Sequence, residues 1–479
     1  MTNRIWWTIA LLYILSVLTL AQDRLLYQTH FPPEEFAEHR AKIFDKIGDN
    51  ALAFIQGATL GRGFERFRQS NTFYYLSGVE VPHAYLILDG RNRRTTLYVP
   101  HRDEGKERGE GKMLSAEDAE MIKELTGIDD VYGTEFLAKN LRWTVLRPPF
   151  PVLYTPKSPA EGKAGSRDEL LGANAAIASD PWDGRPTREG HLVQLLKSRF
   201  PQLEIRDLSP VLDELRITKS PREIKLIRRA SQIAGLGLME AMRSTRPGVM
   251  EYQLEAAAKY IYRINDARRE GYTAIVGGGT NAWMGHYFHN SSPLKDGDLV
   301  LMDYAPEYQY YTSDVTRMWP VNGKFTKEQR DLLGFILKYW KALLRQIRPG
   351  VTADQIMDEV AAEMKEVFEA TKFSKSIHRK AAEGTLTFRG HLSHPVGMAV
   401  HDVGNYRVRP LRQGDVFSID PMLWVPEEKL YVRMEDVVVL TEDGVENFTD
   451  FLPSELDDIE KLMKEEGVLQ FRRPTPPMK

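Results

Sequence analysis

Cysteine is absent from the 479 residues. That excludes a disulfide framework, a thiol nucleophile and every thiolate-ligated zinc, iron–sulfur or haem centre. Any metal must therefore be held by Asp, Glu and His. A surplus of either charge is missing too, with 64 Lys and Arg against 67 Asp and Glu and a net charge of -3. Without a basic surplus to neutralise phosphates, no nucleic-acid partner is expected. Beyond the first twenty or so residues no apolar run is long enough to span a membrane. What is present is ordinary for a globular protein: 42% hydrophobic and 27% charged residues, values that exclude disordered and fibrous classes. At roughly 150 residues per domain the length allows two or three domains.

The N-terminus departs from this average. Arg4 precedes an apolar run over 5–20 that ends in Thr19-Leu20-Ala21 before Gln22-Asp23. A basic start, a short apolar core and small residues at the last and third-last positions read as a signal peptide, residues 1–21. The expected product is exported, periplasmic or secreted, with no stable membrane insertion after cleavage. An uncleaved N-terminal anchor is the alternative, although the run falls short of the roughly 20 residues a spanning helix needs.

Residues 22–215 alternate short apolar runs with helical patterns. Strands are expected over 71–78 and 84–88, a surface excursion over 102–120, and a loop over the Ala-, Gly- and Asp-rich stretch 158–186. Ser220-Pro221-Arg222-Glu223 then has the form of a helix start, Ser as cap, Pro at the first helical position and Glu completing a capping box. A domain boundary is placed just before it, leaving 216–479 as the second domain.

That second domain carries an internal repeat. Arg246-Pro247-Gly248-Val249 with Gln253 recurs as Arg348-Pro349-Gly350-Val351 with Gln355. Gly285-His286 with His289 recurs as Gly390-His391 with His394, and Pro293-Leu294 to Met302-Asp303 as Pro410-Leu411 to Ile419-Asp420. Three matches in one order predict a duplicated unit and a pseudo-symmetric α+β domain, since two copies are too few for a solenoid.

Each half is expected to end in a hairpin: 299–304 with 310–318, and 416–420 with 433–439. Asp303, Asp314, Asp420 and Glu435 stand among Leu, Ile and Val in these stretches, where a carboxylate is costly unless paired or bound to a cation. Four carboxylates with His394 are the composition of a two-metal hydrolase site. Two alternatives stay open on spacing alone, namely solvated hairpin acids and a three-His zinc site at His391, His394 and His401. Of the 11 histidines, six lie between His286 and His401, which favours a site in that region.

Leu301-Met302-Asp303, Thr312-Ser313-Asp314-Val315-Thr316-Arg317, Leu392-Ser393-His394, Val400-His401-Asp402-Val403-Gly404, Ile419-Asp420-Pro421 and Arg433-Met434-Glu435-Asp436 resemble the pita-bread metallopeptidases. The branch is that of aminopeptidase P and prolidase, the Xaa-Pro peptidases. Phe73-Tyr74-Tyr75-Leu76-Ser77-Gly78 is similar to their creatinase-like N-terminal domain. The resemblance implies an α/β creatinase-like domain followed by a pseudo-two-fold pita-bread α+β catalytic domain. It also implies two divalent ions, manganese foremost, with cobalt, zinc or iron as substitutes. By position the ligands would be Asp303, Asp314, His394, Asp420 and Glu435, with Asp314 and Glu435 bridging. His286 and His401 would stabilise the substrate carbonyl, Arg433 would orient carboxylates, and Asp420 or Glu435 would carry the proton to the leaving amine. The substrate would be a proline-containing peptide, cleaved as by aminopeptidase P or, alternatively, as a dipeptide by prolidase, in a homodimer or tetramer. Two departures stand out. Asp420 replaces the family's usual Glu, and Gly390 replaces a usual His, with His391 displaced by one position. They admit a third reading, a catalytically impaired peptide-binding protein.

Overall fold

The computed structural model describes residues 27–61, 64–146, 149–163 and 165–471. The leader and its cleavage site lie outside the described residues. Two compact units are present, one formed by the chain up to Gly162 with Arg167–Leu215, the other by Lys163–Ser166 with the chain from Arg216 onward.

The first unit is built on a mixed sheet of Ala51–Gln56, Tyr85–Asp89, Arg94–Val99, Asp130–Gly133, Val152–Thr155 and Glu204–Asp207. Ala51–Gln56 lies inside it, antiparallel to Tyr85–Asp89 and parallel to Val152–Thr155. Leu52, Phe54, Ile87, Leu153 and Ile205 from the strands pack with Leu141, Leu192 and Leu196 from the helices.

Two expectations fail in this unit. Asn71–Ser77 is a helix, not a strand, and all seven of its residues are buried. An element buried on every side has no polar face, so neither a period of 2 nor of 3.6 is visible in its sequence. Gly78 ends it in the left-handed region at φ 68°, where a Cβ would run into the Tyr27 hydroxyl and the Phe36 ring. The expected loop over 158–186 contains the helix Arg167–Ser179, none of whose residues is buried. A helix without a buried stripe leaves no periodic signature.

The second unit shows the duplication as structure. Helix Pro221–Ser244 opens with the expected capping box, Glu223 N–H donating to Ser220 Oγ at 3.2 Å and Ser220 N–H to Glu223 Oε2 at 2.7 Å. It is followed by helix Glu251–Ile264, just as Lys327–Gln346 is followed by Ala353–Ala370. The repeated Arg-Pro-Gly-Val turns make the same bonds. Gly248 N–H donates to Leu294 O at 2.8 Å and Gly350 N–H to Leu411 O at 2.9 Å, with Leu294 and Leu411 N–H returning to Val249 O and Val351 O at 2.8 Å each. Both glycines need positive φ, 88° and 83°.

Each half contributes an antiparallel sheet. Ile275–Gly278, Leu299–Asp303 and Thr316–Pro320 form one, and Leu392–Pro395, Val416–Ile419, Asp436–Leu440 and Val445–Asn447 the other. The two are joined where Thr316 and Glu435 exchange backbone hydrogen bonds of 3.1 and 3.2 Å. Both expected hairpins are revised in detail. The return strand of the first begins at Thr316, so Tyr310, Thr312 and Asp314 precede it in irregular chain with Gln309 and Tyr310 at positive φ. In the second, a separate ladder of Met422–Val425 with Leu430–Arg433 intervenes, and Val416–Ile419 pairs with Asp436–Leu440. Among the described residues no helix is long and apolar enough to cross a membrane.

Candidate metal centre

Asp303 ends strand Leu299–Asp303 directly opposite Thr316, and Glu435 lies at the junction of the two sheets. Asp420 follows Val416–Ile419, its N–H donating to His391 O at 2.8 Å. Asp303, Asp314 and Asp420 are each 4% exposed and Glu435 1%. Their donor atoms converge: Asp303, Asp314 and Glu435 offer oxygens within 4.8 Å of one another, and Asp314, His394 and His401 form a second such trio. His394 Nε2 is 3.2 Å from Asp314 Oδ2 and 4.0 Å from Glu435 Oε1.

Arg433 is buried among these acids. Its Nη2 donates to Glu435 Oε2 at 2.9 Å and to Thr316 Oγ1 at 2.6 Å, and pairs with Asp303 Oδ2. Asp420 Oδ2 is farther, 3.8 Å from Nη1. Burial, then the facing Glu435 and Asp303, holds the Asp314 carboxyl well above the usual range. Burial and Glu435 do the same to Asp420, against the pull of Arg433. Burial lowers His394 despite Glu435, which keeps its imidazole neutral and able to ligate. One guanidinium does not satisfy four carboxylates, and Asp420 Oδ1 is buried with no hydrogen-bond partner. The residues present fit divalent cations, which take such oxygens and imidazoles as ligands.

All eight site residues expected from the sequence lie in this second unit, and seven are linked by the contacts above. The eighth, His286, is exposed at the rim, its ring 6.3 Å from that of His401. His391 is not part of the centre. It is fully buried against Tyr339 and Phe388, and its Nε2–H donates to Thr385 O at 2.8 Å. That removes the three-His alternative. Nor does position 390 admit a histidine as it stands, because a Cβ there would run into the Phe388 ring.

Burial lowers the His391 pKa to about 4, below the unfolded value of about 6.5. The unfolded chain therefore takes up a proton between these values that the folded chain does not, and stability falls as pH drops through this window. His391→Phe is expected to flatten the unfolding free energy against pH between 6.5 and 4 by up to about 1.4 kcal/mol per pH unit. Denaturant titration at stepped pH reads this, and an unchanged slope contradicts it.

The sequence did not single out Tyr272. Its hydroxyl lies 2.5 Å from Asp303 Oδ1 and 2.9 Å from Asp314 Oδ1, fixing two carboxylates against each other. Burial, then these two acids, raises its pKa far above 10, so it is a neutral donor. Its neighbours Gly271 and Thr273 carry no pattern that marks it. Tyr272→Phe is expected to leave the fold intact and weaken divalent-cation binding by about 10–100-fold, the range for lost outer partners. Calorimetric titration with Mn2+ measures this.

Comparison with known proteins agrees with this geometry. Residues 225–442 match metallopeptidase family M24, and residues 36–148 match the aminopeptidase P N-terminal domain. The Xaa-Pro aminopeptidase of Haemophilus influenzae is 31% identical over 460 residues, covering 92% of this chain and 99% of the relative. That of Escherichia coli is 32% identical over 455 residues, covering 90% and 97%. The structure of E. coli aminopeptidase P with the inhibitor Pro-Leu superposes with a TM-score of 0.73 at 28% identity, covering 91% of this chain and 99% of that one.

Proposed function

The chain belongs to metallopeptidase family M24, a metal-dependent hydrolase with an aminopeptidase P N-terminal domain, and from that premise we propose that it releases the N-terminal residue from Xaa-Pro peptides using two divalent cations. The observation that carries the reading is the convergence of buried Asp303, Asp314 and Glu435 with His394 from two duplicated halves, in trios that share Asp314, with buried Asp420 facing the same Arg433. Near end-to-end coverage of two Xaa-Pro aminopeptidases supports it. Asp303, Asp314, His394, Asp420 and Glu435 would hold the cations, with manganese as the native metal. A zinc-substituted form of the E. coli enzyme is among the similar structures. When bound, such cations act as Lewis acids that make a water nucleophilic near neutral pH and polarise the scissile carbonyl.

The chain's own groups do the rest. Arg433 and Tyr272 hold Asp303, Asp314 and Glu435 in fixed relative positions, so little rearrangement is needed at reaction. Exposed His286 stands at the rim, where it meets the carbonyl oxygen. Asp420 or Glu435, both buried beside Arg433, would pass a proton to the proline nitrogen of the leaving group.

The protein is proposed to act after export and as a homodimer or tetramer. Sequencing the mature N-terminus tests cleavage after Ala21, and light scattering tests the assembly. For the activity, chelated protein reloaded with Mn2+ is assayed on an Xaa-Pro dipeptide, an Xaa-Pro tripeptide and its Xaa-Ala counterpart. Cleavage of the Xaa–Pro bond in the tripeptide is expected, with little on Xaa-Ala. A folded, loaded protein that cleaves none of them overturns the proposal, and dipeptide-only cleavage makes it a prolidase.

A second reading, peptide binding with impaired turnover, rests on Asp420, one methylene shorter than the family's Glu. Asp420→Glu raising kcat by about tenfold or more selects it, since small displacements of a catalytic group have effects of that size. A fall in kcat keeps the first reading.

A further inference from the structure

His286 lies in irregular, exposed chain beside Gly285. Among the described residues no hydrogen bond holds its imidazole, whose ring neighbours are Phe288 at 5.9 Å and His401 at 6.3 Å. A group that meets a reacting atom has to be held to within about 0.5 Å. For His286 that placement must come from the backbone that carries it.

That backbone is gathered by one carboxylate. Glu251, in the first turn of helix Glu251–Ile264, is fully buried. Its Oε1 accepts from Gly278 N–H at 2.8 Å and from Asn281 Nδ2 at 2.9 Å. Its Oε2 accepts from Ser292 N–H at 2.8 Å and from the hydroxyl of Tyr287, the residue next to His286, at 3.1 Å. Both ends and the middle of the stretch 278–292 are thus fixed on a single side chain. Four donors call for a carboxylate, because a glutamine amide there would leave the N–H of Gly278 or of Ser292 unpaired.

The duplicated half is held differently. Gln253 matches Gln355, so Glu251 matches Ala353, which is buried and carries no acceptor on its side chain. The stretch matching 286–289 is 391–394, and there strand Leu392–Pro395 pairs with Val416–Ile419. A strand ladder holds His394, whereas a buried carboxylate holds the chain around His286.

We propose that Glu251 is a positioning residue for His286, setting where the imidazole meets the substrate carbonyl without itself touching substrate. The inference rests on the Xaa-Pro peptidase reading above.

Full-length, Mn2+-loaded protein is assayed on an Xaa-Pro tripeptide as parent, Glu251→Gln, His286→Ala and the double variant. Glu251→Gln should lower kcat by about 10–100-fold, the cost of a misplaced catalytic group, with bound metal unchanged. In the His286→Ala background the same substitution should change kcat by less than about twofold, because the two residues act as one unit. Losses that multiply in the double variant overturn the proposal, since a general loss of fold or metal acts on both backgrounds. Amide exchange gives a second measure that needs no turnover. Residues 278–292 should exchange at least about tenfold faster in Glu251→Gln, with 299–303 unchanged. Unchanged exchange over 278–292 also overturns the proposal. If Glu251→Gln does not fold, Tyr287→Phe, which deletes one donor, should lower kcat by about threefold, and only while His286 is present. A metal-loaded parent that cleaves no Xaa-Pro peptide instead overturns the peptidase reading, and the exchange then decides whether Glu251 holds the segment.

Discussion

Replacing Asp314 with alanine is expected to lower kcat/KM by on the order of 10³-fold or more, about 4 kcal/mol of transition-state stabilisation. Asp314 is the only residue common to both trios. Removing it takes a donor from each cation position at once, whereas Asp303 or His394 serves one. Bound-metal analysis should show both ions weakened together.

The same substitution has an opposite effect on the metal-free fold. Burial and the facing acids raise the Asp314 carboxyl in the folded state, above its unfolded value of about 3.9. The folded chain thus binds more protons than the unfolded one above that pH, and stability falls as pH rises from about 4 toward the raised value. In chelator, Asp314→Ala should lose stability less steeply than the parent over this range. Calorimetric scans in EDTA between pH 4 and 8 measure it. Retention of more than about a tenth of the activity would sink the shared-ligand role, because loss of a ligand to both ions is far costlier than that.

Arg433→Met is the second large effect. The guanidinium faces Asp303, Glu435 and Asp420 while only 7% exposed. Deleting one partner of a buried ion cluster leaves uncompensated charge, typically at about 3–5 kcal/mol. At a few degrees per kcal/mol for a unit of this size, the metal-free variant should melt about 10 °C below the parent. Divalent cations neutralise the same carboxylates, so the difference should shrink when Mn2+ is added. An equal loss with and without cation would mean that Arg433 acts by packing alone. Activity should also fall, by about 10²-fold, because Asp303 and Glu435 lose their common anchor.

Helix starts were legible because capping is local: Ser220 and Glu223 are three residues apart and bond each other's backbone. The duplication was legible because each turn needs the same residues, Gly248 and Gly350 both at positive φ. The helix Asn71–Ser77 was not, because complete burial erased the contrast between its faces. Asp314 lies beside Asp303 and Glu435, but in irregular chain ahead of a strand and not within one, because alternation in the sequence does not mark where pairing begins.

By itself the sequence determined which donors any metal must use. Without cysteine they are Asp, Glu and His, and two copies of one unit bring them in pairs. Only the tertiary structure decided which of them meet. Arg433 reaches Asp303 across 130 residues and Thr316 reaches Glu435 across 119, closures that no local period encodes. It also turned His391 into the core, set His401 beside His394 and inserted Tyr272 between two carboxylates. The reason is physical: periodicity records which side of an element is buried, whereas a site depends on how separate elements close on one another.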